Sequence, residues 1–152
     1  MSSWFNALLV GSLVIWATAV PTAVVQPFRA ENAVEQAKTT NDGIYTTAQA
    51  DGAKAQFEKI CAECHSFTVA TKKKPKDKPL GDDPFFEEWT GRPVKELVSV
   101  IHLTMPNDGS ANVSQSEAAD LVAYVLQQNG YAPGSAPLSK DSAAIIERPV
   151  KK

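Results

Sequence analysis

The stretch Glu58-Lys59-Ile60-Cys61-Ala62-Glu63-Cys64-His65-Ser66-Phe67, EKICAECHSF, decides how this chain is read. Cys61 and Cys64 are the only cysteines among 152 residues, and His65 is one of two histidines, the other being His102. Three of the four thiol and imidazole groups therefore fall within five consecutive positions. A chain this poor in both residue types needs a chemical reason for the cluster. The apolar residues running into it, Ala53, Phe57, Ile60, Cys61 and Cys64, recur at i, i+4, i+7, i+8 and i+11. That period predicts a helix with one apolar stripe and with both sulfurs facing inward.

Outward from the cluster, the chain has room for one domain with extra segments. Its formal charge of −2 gives no electrostatic ground for nucleic-acid binding. From Trp4 to Val25 no charged residue occurs, and the first is Arg29, so residues 1–25 read as a secretory signal or a membrane anchor. Small residues at Ala17 to Ala19 followed by Pro21 favour cleavage over retention. Residues 26–49 read as a linker or loosely attached arm, 50–135 as the domain that holds the site, and 136–152 as a tail. Export, to a periplasmic location, puts the thiols in an oxidising compartment, where two free cysteines pair or are modified unless something occupies them.

Two further helices are legible. One opens at Pro93, carries Val94, Leu97, Val98 and Ile101 on one face, and stops before Met105-Pro106. The other opens with the capping box Ser114 to Glu117, runs through Ala118, Leu121, Val122 and Val125, and ends at Asn129-Gly130. With the helix before Cys61 this makes an all-α domain of three helices and no convincing strand. The tail from Tyr131 is expected along the surface, with Ser142 to Glu147 forming a short turn of helix.

Three chemistries use Cys-x-x-Cys. A thioredoxin-like pair needs a strand-to-helix junction, whereas helix precedes Cys61. Zinc needs four ligands, and His65, adjacent to Cys64, is badly placed to share one tetrahedral ion with it. Cys-x-x-Cys-His is the specific signal for covalent haem: each thiol forms a thioether and the following imidazole reaches the iron. For the sixth ligand Met105 is preferred over His102, because Pro106 forces an extended loop that can direct a thioether at a buried ring. Both axial positions filled by protein argue for electron transfer rather than catalysis. A haem sensor or enzyme with an open iron position is the alternative if Met105 does not ligate.

The stretches GIYTTAQADGAKAQFEKICAECH, PLGDDPFFEEWTGRPVKELVSVIHLTMP and AADLVAYVLQQNGYAPGSAPL, from Gly43 to Leu138, resemble bacterial class I cytochromes c. They are most similar to the small periplasmic cytochromes found beside or fused to quinoprotein (PQQ) dehydrogenases. The resemblance implies the class I cytochrome c fold, a few short helices around one haem c bound to Cys61 and Cys64, with His65 and Met105 as axial ligands. It implies that Phe57 and Tyr124 join the first and last helices around the haem. Trp89 matches a buried tryptophan whose indole N–H either reaches a haem propionate or serves the core alone. Pro79-Leu80 matches the segment whose carbonyl accepts the proximal imidazole N–H. Redox proteins are the implied partners: a quinoprotein dehydrogenase or another cytochrome, and a terminal oxidase, with a membrane involved only if the N-terminal segment is retained. Ser66 in place of glycine, the run Lys72 to Lys78 and the segment NDGSANVS after Pro106 depart from the family pattern. The lysine run reads as a solvated loop or as a docking patch for an acidic partner.

Overall fold

The computed structural model describes residues 38–73 and 77–150, all within the compact unit Val34–Lys152. The apolar segment expected to direct export and the first part of the linker lie outside the described residues, as do residues 74–76 of the lysine run. The described residues form four α-helices and no strand beyond isolated bridges: α1 (Thr47–Ile60), α2 (Asp82–Trp89), α3 (Val94–Thr104) and α4 (Gln115–Gln128). None is long and apolar enough to cross a membrane.

The helix boundaries follow from local chemistry. The Thr46 hydroxyl accepts from the Gln49 N–H at 3.2 Å and starts α1. At α4 the expected capping box forms in both directions: Glu117 N–H donates to Ser114 Oγ, and Ser114 N–H donates to the Glu117 carboxylate. Met105, placed before a proline, takes the extended backbone that ends α3. The helix that the pattern reading omits is α2. Its first turn holds Asp82, Asp83 and Pro84, and its buried face is Phe85, Phe86 and Trp89.

The core centres on the packing of α1 against α4, with α3 also packed on α4. At the crossing, Phe57 stacks on Phe67 with ring centroids 5.2 Å apart and meets Tyr124 at 5.0 Å. Phe67 and Tyr124 close the triangle at 6.0 Å. Aromatic pairs in such geometry contribute about 0.5–1.5 kcal/mol each beyond the area they bury, so this cluster ties α1 to α4 immediately before the cysteine motif.

Arm and tail are both more firmly held than their composition indicates. Ile145 N–H donates to Lys38 O and Thr40 N–H to Ile145 O, while Ile146 N–H donates to Arg92 O, so Ile145 bridges two neighbouring segments. Residues 142–147 are thus extended rather than helical, with Ala144 and Ile146 buried on alternate positions. Non-local pairing with Lys38 to Thr40 and Arg92 to Val94 supplies their backbone partners, which a helical turn would have consumed internally. Tyr45, 1% exposed, donates from its hydroxyl to Tyr131 O at 2.6 Å, and Tyr131 donates in turn to Glu147 O. Gln49 completes the clasp, donating to Asp120 and Leu138 O and accepting from the Leu138 N–H.

Candidate functional site

The cysteine motif begins where α1 ends. Cys61 and Ala62 both send their N–H to Phe57 O, at 2.9 and 3.0 Å, and Cys64 and His65 both send theirs to Cys61 O, at 3.1 and 2.9 Å. The motif is therefore a tight turn at the end of α1, closed by its own backbone hydrogen bonds. Because regular helix stops at Ile60, the inward stripe does not carry both sulfurs as expected: Cys61 is half-buried and Cys64 exposed. Burial pushes the Cys61 thiol up to about 11, so it is protonated at neutral pH and a weak nucleophile against disulfides. Neither cysteine is in a disulfide.

His65 is oriented by one bond, Nδ1 to Lys78 O at 2.9 Å. A carbonyl oxygen can only accept, so Nδ1 carries a proton, and in the neutral ring Nε2 keeps its lone pair. This is the outer contact that fixes tautomer and ring angle in a ligating histidine. The acceptor lies one residue before the Pro79-Leu80 pair expected from the resemblance. Leu80 O instead accepts from the Asn129 amide at 2.7 Å, which also donates to Val125 O at 2.8 Å.

The loop that presents Lys78 O is fastened along its length. Leu80 N–H donates to Ser66 O at 2.7 Å and Val69 N–H to the Asp82 carboxylate at 2.7 Å. Gly81 sits so close to Phe67 O that any Cβ there would overlap it. Part of the lysine run, though exposed, is tied to this support. Lys73 donates from its ammonium to Ala62 O, inside the motif, and from its N–H to the carboxylate of the buried Asp77. The signals for Gly81, Asn129 and Lys73 are pairings far apart in sequence, which periodicity does not carry.

Met105 is half-buried at the end of α3. The segment after it turns tightly, with Gly109 N–H donating to Pro106 O and Ser110 N–H to Asp108 Oδ1. Local hydrogen bonds from Ser110 hold the Asp108 carboxyl below its usual range. His102, the weaker candidate ligand, is partly exposed on α3 and has its Nδ1 2.7 Å from Val113 O. Phe57 lies in the aromatic triangle beside the motif. Trp89 is buried at 6% exposure, with the Arg92 guanidinium 4.3 Å above its ring.

Among the described residues no three His, Cys, Asp or Glu side chains are grouped to hold a metal ion, so the cysteines and histidines do not form a four-ligand zinc site. Among the described residues no strand precedes the motif either, and helix α1 runs directly into it, unlike a thioredoxin-like strand-to-helix junction. What remains fits haem c: two thiols on one turn, followed by an imidazole with its Nε2 lone pair free and its Nδ1 anchored, and an unbranched thioether on a separate loop. The family model described as cytochrome c oxidase, cbb3-type, subunit III matches residues 48–125. The match runs from the first turn of α1 into the last third of α4 and includes Cys61, Cys64, His65 and Met105. No curated protein and no solved structure matches the chain.

Proposed function

The chain belongs to the family described as cytochrome c oxidase, cbb3-type, subunit III, which makes it a c-type cytochrome with an all-α class I cytochrome c fold, and on that premise we propose that it is a monohaem carrier of single electrons in a periplasmic respiratory chain. The observation that carries the reading is the His65 imidazole, held by Lys78 O with Nε2 free, one residue beyond a Cys-x-x-Cys turn. Bound haem supplies one-electron iron chemistry. Cys61 and Cys64 would tether it through thioethers, and His65 would ligate through Nε2. Met105 is assigned as the second axial ligand, and Phe57 and Trp89 as buried aromatic surface beside the porphyrin, Trp89 with its indole N–H available to a propionate.

With His65 and Met105 both holding the iron, the protein would leave no open position for a substrate, which favours electron carriage over turnover. The family description names an oxidase, which favours a terminal oxidase as acceptor; the donor side suits a quinoprotein dehydrogenase or another cytochrome. The uncharged stretch from Trp4 to Val25 supports export, with cleavage or membrane retention as its two outcomes. The test is the intact mass, under denaturing conditions, of protein matured in a bacterium that attaches haem covalently. Chain plus one haem is the expected result, and its chain mass reports whether the N-terminal segment is removed. A bare chain, where a control cytochrome matures in parallel, overturns the reading.

A further inference from the structure

Residues 105–114 join α3 to α4 and begin with Met105. Their far end is fixed: Val113 is buried at 4% exposure, and Ser114 beside it is locked into the capping box of α4. Their own hydrogen bonds are local, between Gly109 and Pro106 and between Ser110 and Asp108, and so shape the turn without attaching it to α3. At the near end, Met105 N–H and Thr104 Oγ1 reach back only within α3, to Ile101 O and Val100 O. The bond that spans the segment is His102 Nδ1 to Val113 O, at 2.7 Å. Since the carbonyl only accepts, this imidazole also has its proton on Nδ1, and the bond ties the last turn of α3 to the residue before α4.

We propose that His102 is a positioning residue that closes the base of the Met105 loop and so holds the thioether in its ligating place. The inference rests on the assignment of Met105 as axial ligand. With the bond intact, both ends of the loop are pinned and a displaced Met105 is a minor state. Without it, each end keeps its own anchor but the last turn of α3 is no longer tied to Val113, and the displaced population rises by the factor that one hydrogen bond to a poorly solvated carbonyl supplies, about tenfold.

An external ligand reads that population, because its apparent affinity scales with the fraction of iron that Met105 has left. The probe is cyanide titrated into the ferric, haem-loaded protein, with the long-wavelength charge-transfer band of thioether-to-iron ligation recorded alongside. His102→Ala should bind cyanide about tenfold more tightly than wild type. His102→Asn should restore wild-type affinity, because its amide nitrogen stands as many bonds from Cα as Nδ1 does. His102→Leu keeps the bulk and removes only the donor, so Leu against Asn decides the matter even if the alanine variant matures poorly. In a Met105→Ala background His102→Ala should change nothing.

Wild-type affinity in His102→Leu, with the charge-transfer band present in wild type, overturns the inference and leaves the Met105 assignment standing. An equal effect in the Met105→Ala background also overturns it, since His102 would then act on the iron site directly. A wild-type protein that lacks the band and binds cyanide as tightly as Met105→Ala removes the assignment of Met105 itself, and the inference with it.

Discussion

Replacing Gly81 by alanine tests how tightly the support of His65 is built. The backbone at Gly81 is extended, so alanine meets no torsional strain there. The obstacle is space: a Cβ would overlap Phe67 O and lie 2.6 Å from Asn129 Oδ1. Ordinary contact needs roughly 3.5 Å, so the two chain segments must separate by about 1 Å. Phe67 cannot yield freely, because its ring is stacked on Phe57 and its neighbour Ser66 holds Leu80. Overpacking of this kind costs about 1–3 kcal/mol, and loosening the Asn129 hydrogen bonds adds about 1 kcal/mol. The sum, about 2–4 kcal/mol, lowers the thermal midpoint by roughly 8–16 °C at about 4 °C per kcal/mol for a domain of this size. Circular dichroism melts of the haem-loaded protein measure it. A second variant isolates the cause. Asn129→Ala removes the yielding neighbour and leaves the carbonyl, so adding Gly81→Ala to it should still cost most of the original loss. If the double variant melts with Asn129→Ala alone, the backbone overlap is not the obstacle and the reasoning fails.

Two further outcomes follow from charge. Hydrogen bonds from Ser114, joined by one from the Gln56 amide, hold the Glu117 carboxyl below its usual range. A depressed folded pKa contributes stability above the unfolded value and loses it as pH falls through the folded one. Glu117→Gln should therefore be less stable than wild type at neutral pH and equal to it in strong acid; parallel melting curves across that range would contradict the assignment. Lys72, Lys73 and Lys78 are all exposed, and Lys73 also donates to Ala62 O. Reversing Lys72 and Lys78 to glutamate should slow electron transfer with an acidic partner at low salt, the rates converging at about 1 M where the Debye length is about 3 Å. Equal rates at low salt would return the run to a solvated loop.

What the sequence made legible was what one segment decides by itself. The motif, the α3 stripe, its end before Pro106 and the Ser114 capping box are all local, and each appears in the structure. The omitted helix α2 had a local signal too, a Phe85, Phe86, Trp89 face behind an acidic first turn, masked by Pro84, which the first turn of a helix tolerates. The tail failed for a different reason. Residues 142–147 contain helix formers, but their backbone partners sit near positions 38–40 and 92–95, about fifty to a hundred residues away. No window over the tail contains that information. The same holds for Cys64: the helical period extends through it in sequence, while the chain leaves the helix at Ile60.

The two histidines show how one kind of contact serves two ends. Each gives its Nδ1 proton to a backbone carbonyl, Lys78 O for His65 and Val113 O for His102, and each ring is thereby fixed with Nε2 as its basic nitrogen. Imidazole chemistry alone therefore does not tell them apart. Their places in the chain do. His65 lies on the turn that closes α1, one residue past a cysteine, and its carbonyl partner belongs to a loop fastened to α4 through Asn129. His102 stands on α3, and its partner is the residue before α4, so its bond shortens the path between two helices. An electron carrier must keep its ligands in both oxidation states. With Met105 and His65 as the proposed ligands, a loop pinned at both ends would meet that demand at Met105 as the Lys78 carbonyl would at His65. Backbone carbonyls, which do not titrate, are suited to this because they accept from imidazole whether or not its other nitrogen is protonated.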